Sequence, residues 1–248
     1  MLKRSGLKLV KSTVDTFFGK KISLHQPETG YRYSMDPFIL AAQATPFPGC
    51  KVIDIGCGCG IIPVILGYRF KEVHIIGVEI QPELAEFATK NIVANQLSDR
   101  IHILNRDIRT TTLFDIKGGA DMIVANPPYK KKNSGRLNPN IQKAIARHEI
   151  TLELSEFLES AHRLLKPRGQ LLFIFPADRL QDINSDLQAH AFQLDWIRFV
   201  HTKENKPAKL VLISTLKEDH GNALVRPPLY IYDRDNNPTN EYSAMFKP

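Results

Sequence analysis

Cysteine is scarce in this 248-residue chain, with Cys50, Cys57 and Cys59 the only three. No CxxC pair and no histidine-rich cluster stands beside them, so the sequence lacks the ligand set of a metal site. They read instead as small side chains filling a tight turn in a reducing compartment. No apolar run approaches the roughly 20 residues that a membrane-crossing helix needs. The basic start Met1-Leu2-Lys3-Arg4-Ser5-Gly6 lacks the apolar stretch of a secretory signal. The expectation is a cytoplasmic protein without a membrane anchor. Internal repeats, low-complexity tracts and long linkers are also missing.

What is present is ordinary for a folded chain: 43% hydrophobic and 24% charged residues. The length suits one α/β domain with short appendages. Lysine and arginine outnumber the acids by 33 to 26, a net charge of +7. Such an excess favours a polyanionic partner, because each phosphate contact releases counterions, but it does not require one.

Residues 1–29 are polar and basic. From Cys50 onward, short apolar runs alternate with amphipathic stretches, the pattern of βαβ units around a parallel sheet. Strands are expected at Lys51–Ile55, Val73–Val78, Ile101–Leu104, Met122–Ala125 and Gln170–Phe175. Helices are expected at Ile61–Phe70, Pro82–Asn95, Glu153–Leu165 and Leu180–His190. Pro63 and Pro82 fall in first turns, where a missing N–H does no harm, and Lys166-Pro167-Arg168-Gly169 is a helix breaker. Two β-rich runs between Leu194 and Leu216, joined near Lys203–Lys206, suit an antiparallel hairpin at a sheet edge. The expected division is a basic extension and lead-in over 1–49, a catalytic domain over 50–216 and a tail over 217–248.

Two motifs carry chemistry. Asp54-Ile55-Gly56-Cys57-Gly58-Cys59-Gly60 lies between a strand and a helix, and its alternate glycines let the backbone turn sharply and approach a ligand. The spacing GxGxG differs from the GxGxxG of dinucleotide folds. Glu79 ends the next strand about 20 residues on, where a carboxylate meets ribose hydroxyls in such folds. The second motif, Asn126-Pro127-Pro128-Tyr129, follows the fourth core strand and would open onto the same crevice beyond the strand ends. A planar amino nitrogen is a poor nucleophile because its lone pair is delocalised. Two acceptors aimed at its N–H bonds, the Asn126 side-chain oxygen and the Pro127 carbonyl, would free that pair. The Pro-Pro segment has fixed φ angles and offers no competing N–H. Tyr129 can stack on a planar substrate.

A strand, DxGxGxG, a helix, a later acid and NPPY together resemble the class I S-adenosylmethionine-dependent methyltransferases that modify amino nitrogens, over most of residues 30–216. The lead-in Gly30-Tyr31-Arg32-Tyr33-Ser34-Met35-Asp36-Pro37-Phe38-Ile39-Leu40-Ala41 resembles that of the tRNA1(Val) adenine N6-methyltransferase group. So does the tail, Leu229-Tyr230-Ile231-Tyr232-Asp233 with Glu241-Tyr242. The resemblance implies a Rossmann-like fold: a mostly parallel seven-stranded sheet, an antiparallel C-terminal hairpin and helices on both faces. It implies S-adenosyl-L-methionine as cofactor. Asp54 and the loop glycines Gly56, Gly58 and Gly60 would hold its methionine part, Glu79 its ribose and Asp107 its adenine amino group, unless Asp107 simply caps the next segment. Asn126, Pro127 and Tyr129 would receive the target, with Asn126 also bordering the cofactor. Asp36 either orders the lead-in or makes a turn.

The implied substrate is the N6 amino group of an adenine in RNA, single-stranded or flipped out, for which a tRNA anticodon loop qualifies. Lys130, Lys131, Lys132 and Arg136, just past NPPY, would track phosphates, with Arg147, the N-terminal basic stretch and the lysines near His201 as further contacts; a solvated loop is the plainer reading. Three rivals remain: an N5-glutamine protein methyltransferase, N6-adenine methylation of rRNA or DNA, and an RNA-binding module without turnover. The helical domain that usually precedes the first of these has no room in about 50 residues. A nicotinamide dehydrogenase is disfavoured by the glycine spacing.

Overall fold

The computed structural model describes residues 11–28, 34–126, 152–218 and 223–247. Its centre is a nine-stranded sheet. Five strands run parallel: β3 (Lys51–Ile55), β4 (His74–Glu79), β5 (Ile101–Asn105), β6 (Ala120–Ala125) and β7 (Leu165–Pro176). Their spatial order is β5-β4-β3-β6-β7, continued by the antiparallel β9 (Ala208–Lys217) and then β8 (Phe192–His201). Two-residue strands β10 (Leu224–Val225) and β11 (Leu229–Tyr230) extend β8 in parallel. The hairpin of β8 and β9 is therefore present, but β9 lies inside the sheet and the chain's tail covers β8.

Side-chain alternation along the strands divides the core in two. Val52, Ile75, Val124 and Leu172 face one layer, with α1 (Asp36–Gln43) and α2 (Ile61–Arg69) packed on them. Ile53, Ile123, Leu171 and Phe173 face the other, which holds α4 (Leu154–Leu164) and α5 (Leu180–Ala189). Burial on both faces explains why these strands read as unbroken apolar runs. Helix α3 (Pro82–Ala94) joins the first layer through Ile92. Where α4 ends, the Lys166-Pro167-Arg168-Gly169 breaker does not form a separate loop. It is absorbed into the start of β7 as an irregularity, with Arg168 at φ 60° and a register shift opposite Ala120 and Met122.

The described residues flanking the central sheet, 11–28 and 223–247, carry more structure than their composition suggests. Residues 12–27 form a two-stranded hairpin, β1 (Ser12–Phe17) with β2 (Ile22–Pro27), turning through Phe18-Gly19-Lys20 at positive φ. Phe18 is buried under the Arg69 guanidinium, 5.1 Å from its ring. Short helix α6 (Asn240–Ala244) brings Tyr242 and Met245 into the first layer. Phe17, Phe38 and Phe246 stack in series, with ring centroids 4.7 and 5.0 Å apart. The nearly buried Arg198 ties α1 to the tail: its guanidinium donates to the Pro227 carbonyl at 2.9 Å, to Gln43 at 3.2 Å and to Glu241 at 2.7 Å. Among the described residues, no helix is long and apolar enough to cross a membrane.

Candidate active site

Strand order reverses between β3 and β6, where β3-α2-β4-α3-β5 runs one way and β6 onward the other. Open α/β sheets bind ligands beyond the carboxyl ends of the strands at such a reversal. The glycine motif and Asn126, the first residue of the second motif, lie there. Ala125 of β6 pairs with Ile55 of β3, so Asn126 and Gly56 leave the same sheet edge side by side, about 5 Å apart by strand spacing.

The turn after β3 needs its glycines. Gly56, Gly58 and Gly60 have φ of 72°, 54° and 80°, in the left-handed region that side chains strain. The Gly56 and Cys57 N–H groups donate to the Val78 carbonyl at 2.9 and 3.2 Å, and Gly60 N–H closes the turn on the Cys57 carbonyl at 2.8 Å. Gly60 then starts α2, whose amino end has no side-chain cap. A Cβ on Gly60 would sit 3.1 Å from the Ala88 Cβ, whereas one on Gly56 would meet no atom within 4 Å. The loop is thus packed against α3 on one side and open on the other.

Asp54 is fully buried, and among the described residues neither of its carboxylate oxygens has a hydrogen-bond partner. Burial, and secondarily the charge of Glu79, holds its carboxyl well above the usual carboxylate range. Glu79, 5% exposed, is also raised by burial, opposed by backbone N–H groups. Its Oε2 accepts from Gly58 N–H and its Oε1 from Gln81 N–H, both at 2.9 Å. Glu79 therefore clips the glycine turn to the start of α3. Asn105 of β5 steadies that corner, donating to the carbonyls of Glu79 and Ile80 at 2.9 and 3.1 Å.

This arrangement suits a cationic ligand. Two buried carboxyls face each other's charge, one of them wholly unpartnered, and a buried charge without a partner is costly. A bound ammonium or sulfonium would relieve that cost, and the uncapped amino end of α2 would favour a carboxylate. S-adenosylmethionine carries all three charges. The cysteines offer no competing chemistry: burial pushes the Cys50 thiol up to about 11, Cys59 to about 12, and holds Cys57 well above the ordinary thiol range. Among the described residues, no group of three or more His, Cys, Asp or Glu stands ready for a metal.

Of the residues singled out in the sequence, Asp54, Gly56, Gly58, Gly60, Glu79 and Asn126 converge on this edge. Asp107 lies just past β5 and caps the one-turn helix Ile108–Thr110, accepting Arg109 N–H at 2.9 Å. The Arg109 guanidinium bonds the same carboxylate at 2.6 Å and lowers its pKa. The capping reading of Asp107 is thus realised. Pro127, Tyr129, Lys130, Lys131, Lys132 and Arg136 lie outside the described residues. One residue escaped sequence reasoning altogether. Asn91, fully buried on α3, donates to the Cys59 carbonyl of the glycine turn at 2.8 Å. The signal was an asparagine pair, Asn91 and Asn95, one turn apart in an otherwise amphipathic helix.

Comparison with known proteins gives the chain's family and its fold. Residues 38–193 match the methyltransferase small domain family. A tRNA1(Val) (adenine(37)-N6)-methyltransferase of Porphyromonas gingivalis is 35% identical over 204 residues, 80% of this chain and 79% of the relative. One from Pedobacter heparinus is 28% identical over 94% of this chain and 97% of its own length. Among solved structures, a predicted O-methyltransferase from Agrobacterium tumefaciens superposes with a TM-score of 0.67 at 19% identity, covering 85% of this chain and 95% of that one. That last likeness concerns the fold.

Proposed function

The chain belongs to the tRNA1(Val) (adenine(37)-N6)-methyltransferase family, built on the methyltransferase small domain, and from that premise we propose that it methylates the N6 amino group of adenine 37 in tRNA1(Val), in the cytoplasm. The observation that carries the proposal is the meeting, at one sheet edge, of the glycine turn with its unpartnered Asp54 and the Asn126 that opens NPPY. An amino-methylating enzyme needs a cation cradle and an amide acceptor within one crevice.

When bound, S-adenosylmethionine supplies a methyl group already activated on sulfur. The chain's own residues align and polarise. Asp54 and the glycine turn would hold the methionine end, and Glu79 would offer the remaining lone pairs of its oxygens to the ribose. Asp107, already engaged as a cap and with Arg109, would at most border the adenine ring. The Asn126 side-chain oxygen and the Pro127 carbonyl accept the two N–H bonds of the target amine, so that its lone pair points at the methyl carbon. Both acceptors would stabilise the positive charge that develops on nitrogen as the N–CH3 bond forms and the S–CH3 bond breaks to leave a neutral thioether, until one N–H proton leaves to water. Tyr129 stacks on the base, which must be single-stranded or flipped out to enter. Lys130, Lys131, Lys132 and Arg136 hold neighbouring phosphates.

The test combines a tRNA1(Val) transcript, labelled S-adenosylmethionine and mass spectrometry of the digested nucleosides. N6-methyladenosine should form with the adenine 37 transcript and not with a guanine 37 control. Asn126→Ala should lower kcat by about 10²–10³-fold and leave cofactor affinity within about twofold. Full turnover in that variant would overturn the acceptor role. Methylation of a release-factor glutamine instead of tRNA would overturn the substrate.

A further inference from the structure

Asn91 does more than brace the glycine turn. Its Oδ1 accepts the His25 N–H at 2.7 Å, and its Nδ2 donates to the His25 carbonyl at 2.8 Å as well as to the Cys59 carbonyl at 2.8 Å. One helical turn on, Asn95 repeats the first two bonds: Ser23 N–H reaches its Oδ1 at 3.0 Å, and its Nδ2 reaches the Ser23 carbonyl at 2.7 Å. Residues i and i+4 of a helix are about 6 Å apart along the axis. Alternate residues of a strand are about 6.6 Å apart. The two amides therefore act as a false strand for the outer edge of β2, whose other edge pairs with β1. Both asparagines dock the hairpin. Only Asn91 also touches the turn that ends at Gly60.

We propose that Asn91 is a positioning residue through which docking of the N-terminal β1–β2 hairpin sets the affinity of the glycine turn for its cofactor. The idea rests on the reading of that turn as the S-adenosylmethionine cradle. Cys59 is the penultimate residue of the turn, one position before the helix that Gly60 starts. Holding its carbonyl orients the Cys59–Gly60 peptide and so the first N–H groups of α2. The Asn91 amide is held in that orientation by its two bonds to His25. With the hairpin undocked, the amide is free to rotate and the carbonyl loses its fixed donor. Coupling of this kind is reciprocal: a cofactor that orders the turn must also tighten the hairpin, whose β2 strand packs against α2 and α3 and touches the cofactor nowhere in this scheme.

The experiment uses the full chain and two readouts: S-adenosylmethionine affinity by calorimetry, and amide hydrogen exchange of residues 22–27 with and without the cofactor. In the unaltered protein, cofactor should slow exchange in β2 several-fold. Asn91→Ala should weaken cofactor binding by roughly 3- to 10-fold, the scale of one buried hydrogen bond, with kcat at saturation unchanged within about twofold. It should also abolish the cofactor's protection of β2. Asn95→Ala loosens the same strand without touching the turn, so β2 exchange should rise while cofactor still protects what remains. His25→Pro approaches from the far side, removing one N–H and leaving α3 intact; it should weaken cofactor binding as Asn91→Ala does, and it covers the case in which Asn91→Ala fails to fold. Equal cofactor protection of β2 in Asn91→Ala, or unchanged affinity in His25→Pro, would overturn the coupling. Failure of the cradle reading would look different, as the unaltered protein would then bind no S-adenosylmethionine at all.

Discussion

Replacing Asp54 with asparagine keeps the shape of the side chain and removes its charge, which separates what the residue does for the fold from what it does for the ligand. In the free protein the carboxylate is buried without a partner. An unsatisfied buried polar group costs about 1–3 kcal/mol, and a charged one more. The introduced amide keeps part of that cost because it too lacks partners, so the gain lies near the lower end, about 1–2 kcal/mol. For a chain of this size, 1 kcal/mol moves the melting temperature by about 2–4 °C, giving a rise of roughly 2–8 °C. The pH dependence has a definite sign. The folded pKa of Asp54 is raised above its unfolded value of 3.8 by burial and then by Glu79. The wild-type group is therefore harmless below that value and increasingly destabilising as pH climbs toward the folded pKa. The variant's advantage should be near zero at pH 3.8 and grow toward neutrality. Cofactor affinity should move the opposite way: losing a charge-assisted bond worth about 1.5–3 kcal/mol weakens binding by roughly 10- to 150-fold. Scanning fluorimetry without cofactor from pH 4 to 8, with calorimetry of S-adenosylmethionine binding, measures both. A variant that melts lower than wild type at pH 7, or binds cofactor equally well, would refute the reasoning.

Three further outcomes follow from the geometry. Gly60→Ala meets both a φ of 80° and the Ala88 Cβ at 3.1 Å, whereas Gly19→Ala, at φ 65°, meets nothing within 4 Å. Strain of about 1–2 kcal/mol should appear in both by chemical denaturation, with a further loss and weakened cofactor binding at Gly60 alone. Arg198→Met deletes the donor to Pro227, Gln43 and Glu241; it should cost about 1–3 kcal/mol, and limited proteolysis should cut the tail after residue 223 faster while the sheet stays intact. With Cys50 near 11, Cys59 near 12 and Cys57 held well above the ordinary thiol range by burial, a thiol reagent at pH 8 should label none of the three until denaturant is added.

The parallel half of the molecule was legible because its signals are local. Lys51–Ile55 and Ile101–Leu104 are apolar runs between breakers, and both became strands with nearly those limits. Pro63 and Pro82 marked helix starts because only a first turn tolerates a missing N–H. The shared edge of Asp54, Glu79 and Asn126 was legible for the same reason, since Asp54 is the penultimate residue of its strand, Glu79 ends one and Asn126 follows one, and in a parallel sheet strand ends share one edge. The N-terminal hairpin was not. Its strand Ile22–Pro27 holds polar Ser23, His25 and Gln26, and its partner surface is a pair of asparagine side chains 66 and 72 residues away. No periodicity within residues 1–29 records that.

By itself, the amino-acid sequence determined the strand–turn–helix units, the positions at which only glycine can turn the chain, and the acids and amide placed at strand ends; each follows from backbone sterics acting within a few residues. The tertiary structure alone decided that Asp54 has no partner among the described residues, that Asp107 is already committed to Arg109, and that β9 lies inside the sheet with the tail folded over β8. It alone decided, too, that a buried asparagine links the first strands of the chain to the turn after β3. Charge pairing, burial and hydrogen-bond satisfaction depend on which distant segments meet, and that is settled only when the two core layers close around the sheet.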